Sequence, residues 1–157
     1  QLHVEFTDPN DLVEQSLETA ADRIALKKIT VLRHFNTDLP AMAVDLEKMK
    51  MALLNIIINA IEMVDAGTGI IELSTDKVND AFVFTIKDNG PGIARGQINK
   101  IFEPYFSRKP NGMGLGLAST MSIVQAHGGR VEVQSEFGFG ASFMIILPLK
   151  ELAEQNN

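Results

Sequence analysis

Cysteine is absent from the 157 residues, which excludes disulfide bonds, a thiol nucleophile and a thiolate metal site. We identify neither a secretory signal nor an apolar run long enough to cross a bilayer. Basic residues are outnumbered by acidic ones, 14 to 20, and the net charge of −6 argues against a nucleic-acid-binding surface. The remaining composition, 45% hydrophobic and 22% charged, is that of one globular domain with its own core.

Turn residues and apolar periodicity divide the chain into helices and strands. Helices are predicted from Asp8 and Pro9 to about Ile24, and over 46–64, 97–102 and 115–126. Strands are predicted over 4–6, 29–35, 41–44, 70–75, 81–87, 130–135 and 141–147. This mixture predicts an α+β two-layer sandwich over residues 1–150, followed by a polar tail at 151–157. Its mixed sheet of five to seven strands would be covered on one face by about three helices.

The central feature is the segment 88–93, Asp-Asn-Gly-Pro-Gly-Ile, which follows the strand predicted over 81–87. Alternation places Phe82, Phe84 and Ile86 on one buried face, and Asp88 shares their parity. A buried carboxylate requires a hydrogen-bonding partner. Either Asp88 meets the polar edge of a ligand, or it accepts a bond from its own turn, as Asp often does. The glycines after it would let a ligand approach the backbone.

Two further patterns are ambiguous when each is taken alone. On a helical wheel of 46–64, Asn55, Asn59 and Glu62 cluster opposite an apolar stripe, which by itself favours a solvated polar face. The glycine-rich segment 112–116 leads directly into a helix, whose first amides would suit a phosphate. The alternative for this segment is a flexible connector.

Five short boxes in this order resemble the Bergerat nucleotide-binding superfamily of histidine kinases, type II topoisomerases and heat-shock chaperones. The similarity is closest to the catalytic, ATP-binding domain of two-component sensor histidine kinases and covers nearly the whole chain. The boxes are NIIINA (55–60), DNGPGI (88–93), FEPYFSRK (102–109), GMGLGL (112–117) and GFGASF (138–143). Each box is weak singly, and the five together are specific.

The resemblance implies a role for each box. Asp88 would accept a hydrogen bond from the adenine amine, Gly90 and Gly92 would let the ring approach the backbone, and Ile93 would line its pocket. Asn59 would coordinate Mg²⁺, and Asn55 would lie near the phosphates. The segment 107–114 would form the ATP lid, with Lys109 contacting the γ-phosphate and Ser142 lying near the adenine. The implied nucleotide-binding set is completed by Phe102, Gly112, Gly114, Leu115, Gly116 and Leu117, and the implied catalytic residues are Asn55 and Lys109.

The implied function is donation of the γ-phosphoryl group of Mg-ATP to a histidine. Related ATPases carry Glu as general base where this chain has Asn55, and an amide cannot accept a proton, so hydrolysis is disfavoured. Glu62 occupies a position where many histidine kinases have a basic residue. No predicted helix carries a phosphoacceptor histidine: His3 and His34 fall on predicted strands, and His127 falls at a helix end.

We therefore expect the chain to be part of a longer protein whose dimerisation and phosphoacceptor domain precedes Gln1. The expected partners are ATP, that domain and a downstream response regulator, without nucleic acid or direct membrane contact. We expect a monomeric fragment in the cytoplasm, whether or not the parent protein is membrane-anchored. Alternatives are an anti-sigma type Ser/Thr kinase, an ATPase of the same superfamily, and a degenerate pocket that serves only in protein interaction.

Overall fold

A computed structural model of the chain describes residues 1–103 and 116–149, and the structural statements below concern those residues. The strands are β1 (Val4–Thr7), β2 (Thr30–Phe35), β3 (Met42–Asp45), β4 (Ile70–Val78), β5 (Ala81–Asp88), β6 (Arg130–Ser135) and β7 (Ala141–Pro148). The helices are α1 (Pro9–Thr19), α2 (Ala21–Lys27), α3 (Leu46–Met63) and α4 (Gly116–Ala126). The predicted polar tail at 151–157 lies outside the described residues.

Five strands form a mixed sheet in the order β2-β4-β5-β7-β6. The β2–β4 pair is parallel, and the other three pairs are antiparallel. Strands β1 and β3 pair antiparallel in a separate two-stranded sheet. The predicted α+β architecture with a mixed sheet is therefore confirmed, and its strand number lies at the lower end of the predicted range.

The helix predicted from Asp8 to about Ile24 is two helices rather than one. Its start is as predicted, because the Asp8 carboxylate accepts hydrogen bonds from the backbone N–H groups of Asn10 and Asp11. The helix ends at Thr19, where the Ala20 N–H bonds to Leu17 O with three-residue spacing, and α2 then begins at Ala21. The apolar spacing continues across this break, so periodicity alone could not reveal it.

The α-helix predicted over 97–102 does not form. Residues Arg95–Gln97 form a single 3₁₀ turn, and its N-terminus has no side-chain cap. Three-residue hydrogen bonds follow it, from Lys100 N–H to Gln97 O and from Glu103 N–H to Lys100 O. These bonds tighten the segment into successive turns, so it does not form an α-helix.

Helix α3 occupies the centre of the helical layer, with α1 and α4 packed on it and β5 beneath it. Its N-cap is Asp45, whose carboxylate accepts from the Lys48 N–H. On the apolar stripe predicted for this helix, Leu53, Ile57, Ala60 and Val64 are buried, and Leu46 is half-buried. Met49, Ala52 and Ile56 are fully buried as well. The polar face of the helix is therefore narrower than the helical wheel indicated.

The core lies between the helices and one face of the sheet. On β5 the alternation is as predicted, because Phe82, Phe84 and Ile86 are each 2% exposed while Val83 and Thr85 are half-buried. Burial of one such side chain contributes about 1.5–3 kcal/mol. In the described part of the chain, no helix has the length and apolar character needed to span a membrane.

Candidate functional site

Asp88 ends β5 on the face that the helices cover. It is only 3% exposed, as the parity of the strand predicted. Strand register places it in one row with Ile71 on β4, Ala141 on β7 and Ser135 on β6. Since residues in register share a face, this row forms the edge of the covered face where the chain leaves β5. A carboxylate thus lies among apolar and hydroxyl neighbours under the helical layer.

The Asp88 carboxylate participates in its own turn. Its Oδ1 accepts a hydrogen bond of 2.9 Å from the Gly90 N–H. A carboxylate has about four acceptor sites, so this bond is compatible with a second one to a ligand. A Cβ on Gly90 would lie 2.7 Å from Met63 O and 2.9 Å from Asp88 Oδ1, so the turn has space only for glycine. Asp88 therefore bonds its own turn, and this geometry does not prevent the same carboxylate from also meeting a ligand.

The segment 89–93, called here the glycine loop, is fastened at its start by Asn89. The Asn89 Oδ1 accepts from the Ile70 N–H at 2.8 Å, and its Nδ2 donates to Thr68 O at 3.1 Å. Side-chain amides can satisfy a donor and an acceptor together, and here the two bonds join the end of β5 to the start of β4. Asn89 belongs to the DNGPGI box, and the resemblance implied no role for it.

The far end of the glycine loop contacts the turn between β6 and β7. Gly92 has φ +77°, and a Cβ on it would lie 2.6 Å from Glu136 O. The Ile93 N–H donates to Ser135 Oγ at 2.7 Å, and that hydroxyl donates to Gly140 O at 3.1 Å. Ile93 itself is 1% exposed. The glycine loop is thus held between the end of α3 and the β6–β7 turn.

The polar face of α3 presents Asn55 and Asn59 as half-buried residues one turn apart, with Glu62 exposed beyond them. Asn55 Nδ2 donates to Gly116 O, the first residue of α4, at 3.0 Å. Asn55 therefore anchors the N-terminus of α4 to α3. The Asn59 amide oxygen is a hard ligand of the kind that Mg²⁺ takes in proteins.

Phe102 forms a hydrophobic anchor on the sheet. Its ring lies edge-to-face against Phe143, with centroids 6.3 Å apart and an interplanar angle of 76°. The neighbouring Ile101 is fully buried. The anchor joins the segment after the 3₁₀ turn to β7 of the sheet.

Several predicted site residues lie outside the described residues. They are Lys109, Gly112, Gly114 and Leu115, together with the remainder of the predicted ATP lid at 107–114. Gly116 and Leu117 are described and form the start of α4.

The structure does not bring Ser142 to the other predicted site residues. Ser142 pairs with Lys87 and Gln134, which are both exposed, so its side chain lies on the open face of the sheet. The neighbouring Ala141, 3% exposed, is the residue that lies in the row of Asp88. A one-residue step along a strand reverses the face, so the predicted position of Ser142 near the adenine does not fit the strand register.

His127 is a structural residue that sequence reasoning treated only as a helix end. It is 5% exposed, its Nε2 accepts from the Asp45 N–H at 3.0 Å, and its Nδ1 lies 2.8 Å from Ile123 O. The ring therefore connects the end of α4 to the cap of α3. Asp45 is further held by the His3 N–H, and this hydrogen bond is the main cause that lowers the pKa of the Asp45 carboxyl below its ordinary value.

Comparison with known proteins identifies the family. Residues 44–151 match the family described as "Histidine kinase-, DNA gyrase B-, and HSP90-like ATPase". The chain belongs to this family. The matched residues include α3, the glycine loop, α4 and the last four strands, so the family assignment and the site described above involve the same part of the chain.

Among curated members of the family, the sensor histidine kinase ZraS of Escherichia coli strain K12 is 33% identical over 94% of this chain. The histidine-protein kinase AtoS of the same strain is 36% identical over 93%, and sporulation kinase B of Bacillus subtilis strain 168 is 35% identical over 92%. The chain spans 32%, 24% and 33% of the lengths of these three relatives, respectively.

Solved structures agree with the fold. Full-length ShkA in complex with AMPPNP superposes with a TM-score of 0.85 at 30% identity, covering 94% of this chain and 31% of ShkA. The nucleotide-free catalytic domain of the histidine kinase ThkA gives a TM-score of 0.82 at 26% identity, covering 92% of this chain and 95% of that domain. The resemblance to histidine kinase catalytic domains is thereby confirmed.

Proposed function

We propose that the domain binds Mg-ATP and donates the γ-phosphoryl group to a histidine on a separate dimerisation domain, in two-component signalling. The observation that carries this proposal is the buried Asp88 carboxylate at the end of β5, beside the glycine loop whose Gly90 N–H donates to it. A response regulator would receive the phosphoryl group afterwards. We place this reaction in the cytoplasm and expect the domain alone to be monomeric.

At the adenine end, the Asp88 carboxylate would accept a hydrogen bond from the exocyclic amine of the base. A buried acceptor of fixed position discriminates strongly, because a base with a carbonyl at that position would bring two acceptors together. Ile93 would contribute apolar surface beside the ring. The related full-length ShkA was solved in complex with AMPPNP, which supports nucleotide binding as the function of this domain.

At the phosphate end, Asn59 would supply an amide oxygen to Mg²⁺, and Asn55 would lie beside it near the phosphates. The bound metal would neutralise charge on the β- and γ-phosphate oxygens. The α4 N-terminus at Gly116 presents main-chain N–H groups that suit an anion. Lys109 and the rest of the lid would complete the phosphate contacts.

In this phosphoryl transfer the chain would position the nucleotide and would supply no general base. The bond from the γ-phosphorus to the β–γ bridging oxygen breaks, a bond to a histidine nitrogen forms, and ADP leaves. An amide at Asn55 cannot deprotonate water, which disfavours hydrolysis. The chain's own histidines do not fit as acceptors, because His127 is buried with both ring nitrogens engaged and the other two lie outside helices.

Calorimetric titration of the chain with Mg-ATP tests the binding step. Asp88→Asn is expected to lower affinity at least tenfold, about 1.4 kcal/mol, because it removes the charged acceptor. The matched control Asp80→Asn changes an exposed Asp in the turn just before β5 and should bind like the unmodified chain. Equal affinity of the two variants would contradict the role of Asp88.

Radiolabelled ATP tests the transfer step. Label is expected on a histidine-bearing helical domain supplied in trans from a related kinase, with little release of inorganic phosphate. Label on the chain's own histidines would contradict the proposal. Rapid hydrolysis that rises further in Asn55→Glu would instead assign the domain to the ATPase alternative.

A further inference from the structure

The hydroxyl of Ser135 joins three segments that meet at the adenine end of the candidate site. Its Oγ accepts from the Ile93 N–H at 2.7 Å and donates to Gly140 O at 3.1 Å. Ser135 stands at the end of β6 in the row that contains Ala141 and Asp88. One side chain thus connects the glycine loop, the β6–β7 turn and the edge of the sheet that carries the buried carboxylate.

We propose that Ser135 is a positioning residue for nucleotide binding, which holds the glycine loop in the conformation that receives the adenine. The role rests on the proposed function. Because Ile93 is 1% exposed, its amide lies where a lost partner is not readily replaced by water. The loop residues that Ser135 fixes are the same residues that would contact the base.

Two neighbouring contacts show that the backbone of the glycine loop has little freedom to move. A Cβ on Gly92 would lie 3.0 Å from Gly140 O, the carbonyl that Ser135 holds, and a Cβ on Gly140 would lie 2.1 Å from Asp88 O. The main chains of the glycine loop and the β6–β7 turn are therefore packed directly on each other. A loop that is already ordered loses less conformational freedom when a ligand binds, which raises affinity.

Calorimetry with Mg-ATP on the 157-residue chain tests the inference. Ser135→Ala should weaken binding at least fivefold, about 1 kcal/mol, because the Ile93 amide and Gly140 carbonyl lose their bridge. Ser135→Thr keeps the hydroxyl on a residue suited to a strand and should bind within twofold of the unmodified chain. Ser74→Ala makes the same change at a half-buried position on β4 and should also bind within twofold.

Amide hydrogen exchange provides a second readout that needs no variant. In the unmodified chain, the Ile93 amide should exchange at least a hundredfold more slowly than in an unstructured peptide, before any nucleotide is added. Exchange near the unstructured rate would overturn the inference.

The outcomes separate this inference from the proposed function. Binding by Ser135→Ala within twofold of the unmodified chain overturns the role of Ser135 alone, as does equal weakening by Ser135→Ala and Ser135→Thr. If the unmodified chain itself fails to bind Mg-ATP while its Ile93 amide is protected, the proposed function fails and this role fails with it.

Discussion

Single residues at this site are constrained mainly by how closely main chains approach one another. Gly138 and Gly140 lie two residues apart in the β6–β7 turn, and both have positive φ, +94° and +99°. Their surroundings differ, because a Cβ on Gly138 meets nothing within 4 Å, whereas one on Gly140 would collide with the Asp88 carbonyl. The pair therefore separates the cost of backbone conformation from the cost of contact.

We expect Gly138→Ala to lower the free energy of unfolding by about 1 kcal/mol, from positive φ alone. Gly140→Ala should cost about 2 kcal/mol more than that, because the β5–β7 pairing must also shift at Asp88. Urea denaturation of both variants and the unmodified chain measures the two values. Equal costs for the two substitutions would contradict the close approach at Gly140.

At the scale of elements, helices α3 and α4 run antiparallel and are joined by side-chain to main-chain hydrogen bonds. Asn55 Nδ2 reaches Gly116 O at 3.0 Å, and Thr120 Oγ1 reaches Ala52 O at 3.2 Å. At the other end, His127 Nε2 accepts from the cap of α3. These bonds fix the start of α4 relative to the polar face of α3.

His127→Leu tests the buried connection at the far end of α4. Leucine fills a similar volume but leaves the buried Asp45 N–H without its acceptor, so the free energy of unfolding should fall by about 1–3 kcal/mol. His34→Leu is the matched control on exposed β2 and should stay within about 0.5 kcal/mol of the unmodified chain. Urea denaturation measures both values. A similar loss in both variants would show that the His127 hydrogen bond adds nothing.

Across the whole molecule, the features predicted from sequence are those that depend on residues close together in the chain. Features that depend on contacts between distant residues were not predicted. The burial of Phe84 and the cap at Asp8 were predicted because each depends on a few neighbouring residues. The Ser135 hydroxyl meets Ile93 across 42 positions and His127 meets Asp45 across 82, and such contacts depend on strand register and helix packing. For the same reason periodicity did not reveal that β1 and β3 form a separate sheet.

Acid should weaken the whole fold through two aspartates that join distant segments. The pKa of Asp45 is lowered chiefly by the His3 N–H, and that of Asp76 chiefly by the Asn36 side-chain amide. Because each folded pKa lies below the ordinary value of 3.8, the unfolded chain binds these protons first as the pH falls. The stability from these groups is therefore complete above about pH 5 and is lost as the pH falls through the folded pKa values.

Unfolding free energies measured from pH 7 to pH 3 should show this loss, and Asn variants identify its source. Asp76→Asn and Asp45→Asn each resemble the protonated side chain, so each should be less stable than the unmodified chain at pH 7. The difference should shrink as the pH approaches 3, since the unfolded chain then binds protons that the folded carboxylates do not yet bind. A stability difference that stays constant from pH 7 to pH 3 would mean that these two carboxylates do not contribute through their charge.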